Sequence, residues 1–326
     1  MEDILETHAL CKRYRNFTAL NGLDMHIPKG SIYGFAGRNG AGKTTLIRLI
    51  CGLQLPTSGG YTLYGVRNTD AAIGRCRRRM GAVVESPAIY PDMTAEENLR
   101  QQALVLGLPS DGGTKALLQL VGLGDTGRKK AKNFSLGMRQ RLGIAIALTG
   151  SPELLVLDEP VNGLDPQGII EMRELILKLN REQGITVLIS SHILDELSRL
   201  ATHYGFIDGG RMVKEMSAGE LEARCRKCMR LDVSDTRALA RVLDQGRVDV
   251  GDNGVIDTRA LARVLDRQKA EYRIVDDTHA DLYTELPVTE LVLALDKERC
   301  AVRSIKERDE SLESFYMDLI GGVRHA

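Results

Sequence analysis

The sequence predicts an α/β fold for residues 1–216, built on a mostly parallel sheet that helices cover on both faces. This prediction depends on short apolar runs, typical of buried strands, that alternate with longer amphipathic runs, typical of helices. The strand candidates are "SIYGFAG", "ELLVLDEP" and "ITVLISS", and the helix candidates that follow them are "KTTLIRLICGL", "IIEMRELILKLNRE" and "ILDELSRLA". Residues 217–326 are predicted to form a separate and smaller C-terminal domain.

Two capping-box patterns predict helix starts. Thr94 with Glu97, and Ser217 with Glu220, match the pattern S/T-x-x-E, in which the two side chains bond free amides at the start of a helix. Ser217 also marks the predicted start of the C-terminal domain.

The composition predicts a globular chain without an overall basic face. The chain has 326 residues, 43% of them hydrophobic, and its 44 Lys and Arg balance 44 Asp and Glu. We therefore expect no nucleic-acid partner. The longest apolar runs fall far short of the roughly 20 residues of a spanning helix, and the acidic start "MEDILETHAL" lacks the pattern of a signal peptide. Two basic clusters, at 75–79 and 128–132, are predicted to be solvated, with contact to an anionic membrane surface as the alternative.

The six cysteines are scattered along the chain, which predicts reduced thiols rather than a disulfide framework. Cys225 and Cys228 form a C-x-x-C pair inside a basic helical run. No second pair accompanies them, so a chance pair on a helix is favoured over metal or redox chemistry.

The C-terminal region contains the string "DTRALARVLD" twice, at 235–244 and at 257–266. Two copies are too few for a solenoid, and we interpret them as a tandem duplication inside one domain. The residues between them, "QGRVDVGDNGVI", are predicted to form a surface loop or a short hairpin.

The strongest chemical motif is "GRNGAGKTT", residues 37–45, which fits the pattern G-x-x-x-x-G-K-[ST] between a predicted strand and a predicted helix. Its glycines allow the backbone amides to face a phosphate at the positive end of the helix. Lys43 is expected to reach the β- and γ-phosphates, and Thr44 to bind Mg²⁺. The predicted nucleotide-binding residues of this P-loop are Gly37, Asn39, Gly40, Ala41, Gly42, Lys43, Thr44 and Thr45. A glycine-rich turn that binds nothing is the disfavoured alternative.

An acidic pair follows the apolar strand "LLVL", residues 154–157. Phosphoryl transfer at a P-loop needs a carboxylate that holds the metal and a group that orients the attacking water. Asp158 is predicted to bind Mg²⁺, and Glu159 is predicted to be the general base.

These motifs together resemble the ATP-binding subunit of an ABC transporter, over roughly the first two-thirds of the chain. "FSLGMRQR" is similar to the family signature, although Leu136 stands in place of a glycine and Met138 in place of a glutamine. "NGLDP", residues 162–166, is similar to the D-loop, and "SSHILDE" contains the counterpart of the switch histidine. The resemblance adds these expected site residues: Tyr14 against adenine, Ser135 and Gly137 in the signature, Asp165 in the D-loop, and His192.

The resemblance implies a P-loop NTPase core of the ABC ATPase type, with an antiparallel β-subdomain and a helical signature subdomain, followed by a small C-terminal α+β domain. It also implies an ATPase that uses ATP and Mg²⁺. Two copies are expected to form a head-to-tail dimer in which the signature of one copy contacts the γ-phosphate held by the other. A separate transmembrane permease is the expected partner, with the subunit on the cytoplasmic face of the membrane.

Glu85, in "MGAVVESPAIYPDMTAEENL", lies between the P-loop and the signature, where the family usually has a glutamine that contacts Mg²⁺. The glutamate and the segment after it resemble the subgroup that confers resistance to bacitracin and lantibiotics. Glu85 is therefore expected at the nucleotide and its metal, and a solvent-facing acid without a role is the alternative.

Two other functions remain open at this point. A non-transport ATP-driven clamp on ribosomes or nucleic acid usually has two ATPase cassettes or a long coiled coil, and this chain has one set of motifs and no extended heptads. An antibiotic-sensing module that only binds ATP is disfavoured because both Glu159 and His192 are present.

Overall fold

The computed structural model describes residues 2–109, 113–224, 228–245, 270–308 and 312–322. The chain divides into two compact units: Met1–Leu221 together with Tyr316–Ala326, and Glu222–Phe315. The predicted C-terminal domain, 217–326, differs from this division at its far end, because the chain from Tyr316 onward groups with the first unit.

The first unit contains a six-stranded sheet in the order β10-β9-β3-β8-β7-β6. Five strands of this sheet run parallel to one another: β6, β7, β8, β3 and β9. Strand β10, at the edge, pairs antiparallel with β9. Every residue of β3, β7 and β8 is buried, as expected for strands covered on both faces. The predicted mostly parallel sheet is thus confirmed. The strands are β3 (Ile32–Ala36), β6 (Met80–Val83), β7 (Leu154–Asp158), β8 (Thr186–Ser191), β9 (His203–Asp208) and β10 (Arg211–Ser217).

An antiparallel sheet in the order β2-β1-β4-β5 forms the β-subdomain of the same unit. A hairpin joins its two long strands, whose buried positions alternate in part with exposed ones. The four strands are β1 (Asp3–Tyr14), β2 (Phe17–Pro28), β4 (Ser58–Leu63) and β5 (Val66–Arg67).

The helices of the first unit begin largely where the sequence predicts. Glu97 N donates to Thr94 Oγ1 at 3.1 Å and Thr94 N donates to Glu97 Oε2 at 2.6 Å; Ser217 and Glu220 form the equivalent pair, so both capping boxes are confirmed. No helix of the described residues is both long and apolar enough to cross a membrane. The helices are α1 (Lys43–Ile50), α2 (Ile73–Arg77), α3 (Ala95–Leu106), α4 (Thr114–Leu120), α5 (Leu136–Leu148), α6 (Pro166–Gln183), α7 (Leu194–Ser198) and α8 (Ala218–Arg224), the last of which runs into the second unit.

Helix α1 is anchored in the main core of the first unit. Leu46, Ile47, Leu49 and Ile50 are fully buried and share one hydrophobic cluster with residues of β1, β2, β3 and β7. Burial of a side chain of this size stabilises the fold by about 1.5–3 kcal/mol. The first turn of α1, which follows the P-loop motif, is thereby fixed relative to the sheet.

The second unit contains an antiparallel sheet in the order β12-β13-β11-β14. Buried leucines of the sheet and of two helices form its own core. The strands are β11 (Cys228–Val233), β12 (Tyr272–Ile274), β13 (His279–Leu282) and β14 (Val302–Arg308); the helices are α9 (Thr236–Gln245) and α10 (Val288–Lys297). A last helix, α11 (Leu312–Gly322), carries the chain back to the first unit.

The first copy of the duplicated string forms helix α9, with Ala238, Leu239, Val242 and Leu243 buried. The second copy, most of the segment between the copies and Cys225 of the C-x-x-C pair lie outside the described residues. The five cysteines within them, including Cys228, are free thiols.

We predict that deletion of residues 235–256 leaves a folded protein. The remaining copy, 257–266, has the same apolar residues at the same spacing, so it can form the same helix. The connection is long enough: Tyr272 Oη donates to Asp244 Oδ1 at 3.0 Å, so the end of α9 lies close to β12. The five residues 267–271 can span up to about 18 Å. Circular dichroism and urea unfolding of the deletion variant measure the outcome.

The control for the deletion is the same variant with Leu261→Ala added. Leu261 then occupies the buried position of Leu239, so its truncation should lower the free energy of unfolding by about 2–5 kcal/mol. A deletion variant that is unfolded or insoluble would show that both copies are built into the fold.

Candidate functional site

The candidate site lies at the carboxyl edge of the parallel sheet, where the chain leaves three strands. The P-loop motif follows β3, Glu159 follows β7 and His192 follows β8. Strand β8 lies between β3 and β7 and runs parallel to both. Parallel strands end at one edge of a sheet, so residues far apart in sequence meet there.

The P-loop backbone approaches its neighbours too closely for larger residues at two glycines. A Cβ at Gly37 would lie 2.7 Å from the carbonyl oxygen of Ile207, and a Cβ at Gly42 would lie 2.6 Å from that of Ala19. Gly42 also has a φ of 113°, which side-chain-bearing residues rarely adopt. It precedes helix α1, whose first turn contains no acidic residue and has no side-chain cap. The first amides of α1 therefore point out of the helix toward any bound anion.

Lys43 is buried within the loop, with only 5% of its side chain exposed. Its ammonium group donates to the carbonyl oxygen of Gly37 at 2.6 Å and to that of Arg38 at 3.2 Å. It also lies 3.2 Å from Glu159 Oε1. The loop thus holds one buried cation directly beside the carboxylate that follows β7.

Glu159 connects the P-loop lysine to the predicted switch histidine. Its Oε2 lies 2.6 Å from His192 Nδ1, opposite the oxygen that contacts Lys43. The backbone of Glu159 has a φ of 50°, an unfavourable conformation for this residue type. Two hydrogen bonds hold it there: its N–H donates to the Ser190 carbonyl at 3.2 Å and to Ser190 Oγ at 3.0 Å.

Asp158 supplies a buried carboxylate with an unused oxygen. Its Oδ1 accepts from Ser190 Oγ at 2.6 Å, whereas its Oδ2 is buried and has no hydrogen-bond partner within the described residues. Burying such an oxygen is costly unless a partner compensates for the lost water. A metal ion fits this requirement. Clusters of three or more His, Cys, Asp or Glu side chains that could hold a metal ion are absent from the described part of the chain.

A cavity of about 460 Å³ lies beside these residues. Thr44, Asp158, Glu159 and Glu85 all line it, so the structure brings together the P-loop, the acidic pair and the segment after β6. Glu85 has a φ of 60°, and its Oε1 forms an ion pair of 2.5 Å with Arg48 Nη2 of helix α1.

The predicted signature and D-loop residues lie at helix starts. Ser135 caps α5, with its Oγ accepting from Met138 N at 3.3 Å, and Asp165 caps α6, with its Oδ1 accepting from Gly168 N at 3.0 Å. A Cβ at Gly137 would lie 3.7 Å from Leu164 Cδ2, so the two motifs are neighbours. Leu136, Arg139 and Gln140 of the signature and Asn162 of the D-loop line the cavity, whereas Ser135, Gly137 and Asp165 do not.

Tyr14, the residue predicted to stack on adenine, ends strand β1 and is 38% exposed. Its hydroxyl donates to Gln54 Oε1, and the ammonium of Lys12 lies 5.2 Å from its ring centroid. The ring is thereby oriented while part of its surface stays accessible.

Sequence reasoning missed two residues that hold the site together. Ser190 bonds both Asp158 and Glu159, and its position two residues before His192, in "SSH", is the signal that points to it. Arg48, the partner of Glu85, carried no signal, because it is one basic residue on a helix whose other face is apolar.

The chain matches the family model described as ABC transporter over residues 20–162. It is 37% identical to the bacitracin transport ATP-binding protein BcrA of Enterococcus faecalis and 38% identical to that of Bacillus licheniformis. These alignments cover 99% of this chain and 98% and 99% of the relatives. It is also 44% identical to the lantibiotic transport ATP-binding protein SrtF of Streptococcus pyogenes, over 65% of this chain and 90% of that protein.

Solved structures give the same picture of the fold. A structure of cbiO1 from Clostridium perfringens, part of the ABC transporter complex cbiONQ, matches 74% of this chain with a TM-score of 0.62 and 26% identity, and the match covers 95% of that chain. A dimeric ATP-binding cassette with bound ADP and Pi matches 66% of this chain and 98% of its own, with a TM-score of 0.60 and 24% identity.

We predict that Gly42→Ala destabilises the protein more than Gly65→Ala does. Both glycines have a positive φ, 113° and 74°, but a Cβ at Gly65 meets nothing within 4 Å. Gly65→Ala should cost only the backbone strain, about 1–2 kcal/mol, whereas Gly42→Ala adds overpacking and should cost about 2–5 kcal/mol. Urea unfolding without nucleotide measures both, and equal costs would show that the loop can move aside.

Proposed function

The chain belongs to the ATP-binding subunits of ABC transporters and hydrolyses ATP, and from this premise we propose that it powers a separate permease that exports a peptide antibiotic such as bacitracin or a lantibiotic. One observation carries the proposal: the similarity to bacitracin transport ATP-binding proteins extends over nearly the whole of both chains. It therefore includes the second unit as well as the ATPase core.

The P-loop residues bind the phosphates of ATP in this proposal. The amides from Asn39 to Thr45 surround the β-phosphate at the start of α1, and the ammonium group of Lys43 binds the β- and γ-phosphates. The buried, preorganised position of Lys43 supports this role. Tyr14 stacks on the adenine ring.

Thr44, Asp158 and Glu85 would hold Mg²⁺ in the proposed complex. The unpartnered oxygen of Asp158 and the cavity that the three residues share support this assignment. A bound ion would supply positive charge to the phosphates. Ser190 keeps Asp158 in place through its hydroxyl group.

Glu159 orients and polarises the water that attacks the γ-phosphate, and His192 positions Glu159. The contact between His192 Nδ1 and Glu159 Oε2 supports this pairing. Lys43 lies on the other oxygen of the carboxylate, so the general base is placed beside the group that binds the reacting phosphate.

A second copy of the chain completes each ATP site. In this proposal Ser135, Gly137 and Asp165 serve the ATP that the partner copy holds, and Ser135 and Asp165 cap the starts of α5 and α6. The amides at the start of α5 supply donors for a γ-phosphate presented from outside. The dimer attaches to the inner face of the membrane through its permease.

The transport proposal is tested by co-purifying the chain with its membrane partner. We expect bacitracin or a lantibiotic to stimulate the ATPase of the assembled transporter in lipid vesicles. An assembled complex whose ATPase rate is unchanged by both peptide classes would contradict the proposed substrate. The ATPase assignment would still stand.

We predict that Glu159→Gln lowers the rate of ATP hydrolysis by about 10²-fold or more and causes ATP-bound dimers to accumulate. The change keeps the shape of the side chain and removes the base. Phosphate release and size-exclusion chromatography with Mg·ATP measure the two effects. The matched control is Glu153→Gln, at the opposite end of β7, where Glu153 pairs with Arg79 on the surface. The rate of ATP hydrolysis by this variant should stay within about twofold of the wild-type rate. Wild-type hydrolysis by Glu159→Gln would refute the assigned base.

We predict that substitutions at Glu85 separate ATP binding from coupling. Glu85→Gln keeps an oxygen for the metal and should retain ATP affinity within a few fold, whereas Glu85→Ala should uncouple hydrolysis from transport. Neither should unfold the subunit, because the ion pair with Arg48 is about half exposed and contributes about 0–1 kcal/mol.

ATPase activity is measured in the assembled transporter, and protection against the peptide antibiotic is measured in cells that contain the same transporter. Glu96→Ala removes another exposed acid with an arginine partner, Arg100, and serves as the control that should stay coupled. Full substrate-stimulated hydrolysis and full protection in Glu85→Ala would show that the acid is only a turn residue.

A further inference from the structure

The chain re-enters the first unit at Tyr316, on helix α11, beside the P-loop motif. The side chain is 4% exposed, and its ring stacks on Phe206 of β9 with the centroids 6.0 Å apart and an interplanar angle of 28°. An aromatic residue of this size forms a firm hydrophobic anchor. Tyr316 lies near the C-terminal end of the sequence, whereas the P-loop motif that it contacts lies near the N-terminal end.

The hydroxyl of Tyr316 makes two hydrogen bonds to backbone groups of the first unit. It accepts from the N–H of Arg38, the second residue of the P-loop motif, at 3.2 Å, and it donates to the Ile207 carbonyl at 3.2 Å. Burial raises the pKa of the Tyr316 phenol. The group therefore stays protonated at neutral pH and can serve as donor and acceptor at once.

The Gly37–Arg38 peptide group links Tyr316 to the P-loop lysine. Its N–H, that of Arg38, donates to Tyr316, and its carbonyl, that of Gly37, accepts from the Lys43 ammonium at 2.6 Å. The carbonyl of Arg38, in the next peptide group, accepts from Ala41 N at 3.1 Å and from the Lys43 ammonium at 3.2 Å. Gly37 packs against the same Ile207 carbonyl that Tyr316 bonds. A shift of the Gly37–Arg38 peptide would therefore move the lysine that binds phosphate.

We propose that Tyr316 is a positioning residue of the nucleotide site: through the Gly37–Arg38 peptide its hydroxyl keeps the P-loop and Lys43 in the conformation that binds ATP. The inference rests on the phosphate-binding role proposed for the P-loop and does not depend on the transported compound. Helix α11 is then a working part of the ATP site, although the second unit separates it from the rest of that site along the chain.

The test is Tyr316→Phe in the full-length chain, which removes one oxygen and keeps the ring. The substitution leaves the Arg38 N–H and the Ile207 carbonyl without their buried partner, so the loop loses preorganisation. The dissociation constant for ATP and the KM should both rise about 5- to 30-fold, while kcat at saturating ATP changes by less than about threefold. Amide hydrogen exchange of the peptide that contains residues 37–42 should become faster without nucleotide.

The matched control is Tyr64→Phe. Its hydroxyl donates to the Arg79 carbonyl at 2.8 Å, away from the P-loop, so the same chemical change should leave KM and loop exchange at wild-type values. Equal effects in the two variants, or an unchanged KM in Tyr316→Phe, would overturn the inference. Lys43→Ala separates the two proposals: if it binds ATP normally, the assigned P-loop role itself fails.

A second measurement uses the unmodified protein and covers the case in which Tyr316→Phe folds poorly. Binding linkage is reciprocal, so a contact that favours ATP must itself be favoured by ATP. Adding ATP should slow hydrogen exchange of the amides of α11. Unchanged exchange along α11 on ATP binding would also overturn the proposal.

Discussion

The site depends on one carboxylate, that of Glu159, which contacts the loops after two other strands at once. One oxygen lies 3.2 Å from the Lys43 ammonium and the other lies 2.6 Å from His192 Nδ1. Lys43 and Glu159 are more than 100 residues apart in sequence, and Glu159 and His192 are 33 apart. The three side chains meet only because β3, β7 and β8 end at one edge of a parallel sheet. A loss of strand register would move the three groups apart.

That arrangement is maintained against local strain. The backbone of Glu159 has a φ of 50°, and such conformations cost about 1–3 kcal/mol unless the surroundings impose them. Ser190 imposes it through two hydrogen bonds to the Glu159 amide, and the same hydroxyl group donates to Asp158. One small residue of β8 therefore holds both Asp158 and Glu159 in place, and β8 is buried along its whole length.

The sequence predicts features that are local along the chain, and it fails where contacts are distant. The strands, the two capping boxes and the P-loop turn follow from spacing within about ten residues, which one motif or one helical period records. Tyr316 and Arg38 are 278 residues apart, and no pattern in either segment indicates the other. For the same reason the predicted domain 217–326 included α11, although the chain from Tyr316 onward packs with the first unit.

The departure of the signature from the family pattern has a physical account in the packing. Leu136 stands where a glycine is usual, and its side chain lines the cavity while remaining 37% exposed. A Cβ at Gly163 of the D-loop would lie 3.1 Å from Leu136 Cδ2. The larger residue thus fills space against the D-loop glycine, whose φ of 76° suits a residue without a side chain. A Cβ at Gly137 of the signature would in turn lie 3.7 Å from Leu164 Cδ2 of the D-loop, so the two motifs pack against each other at two points.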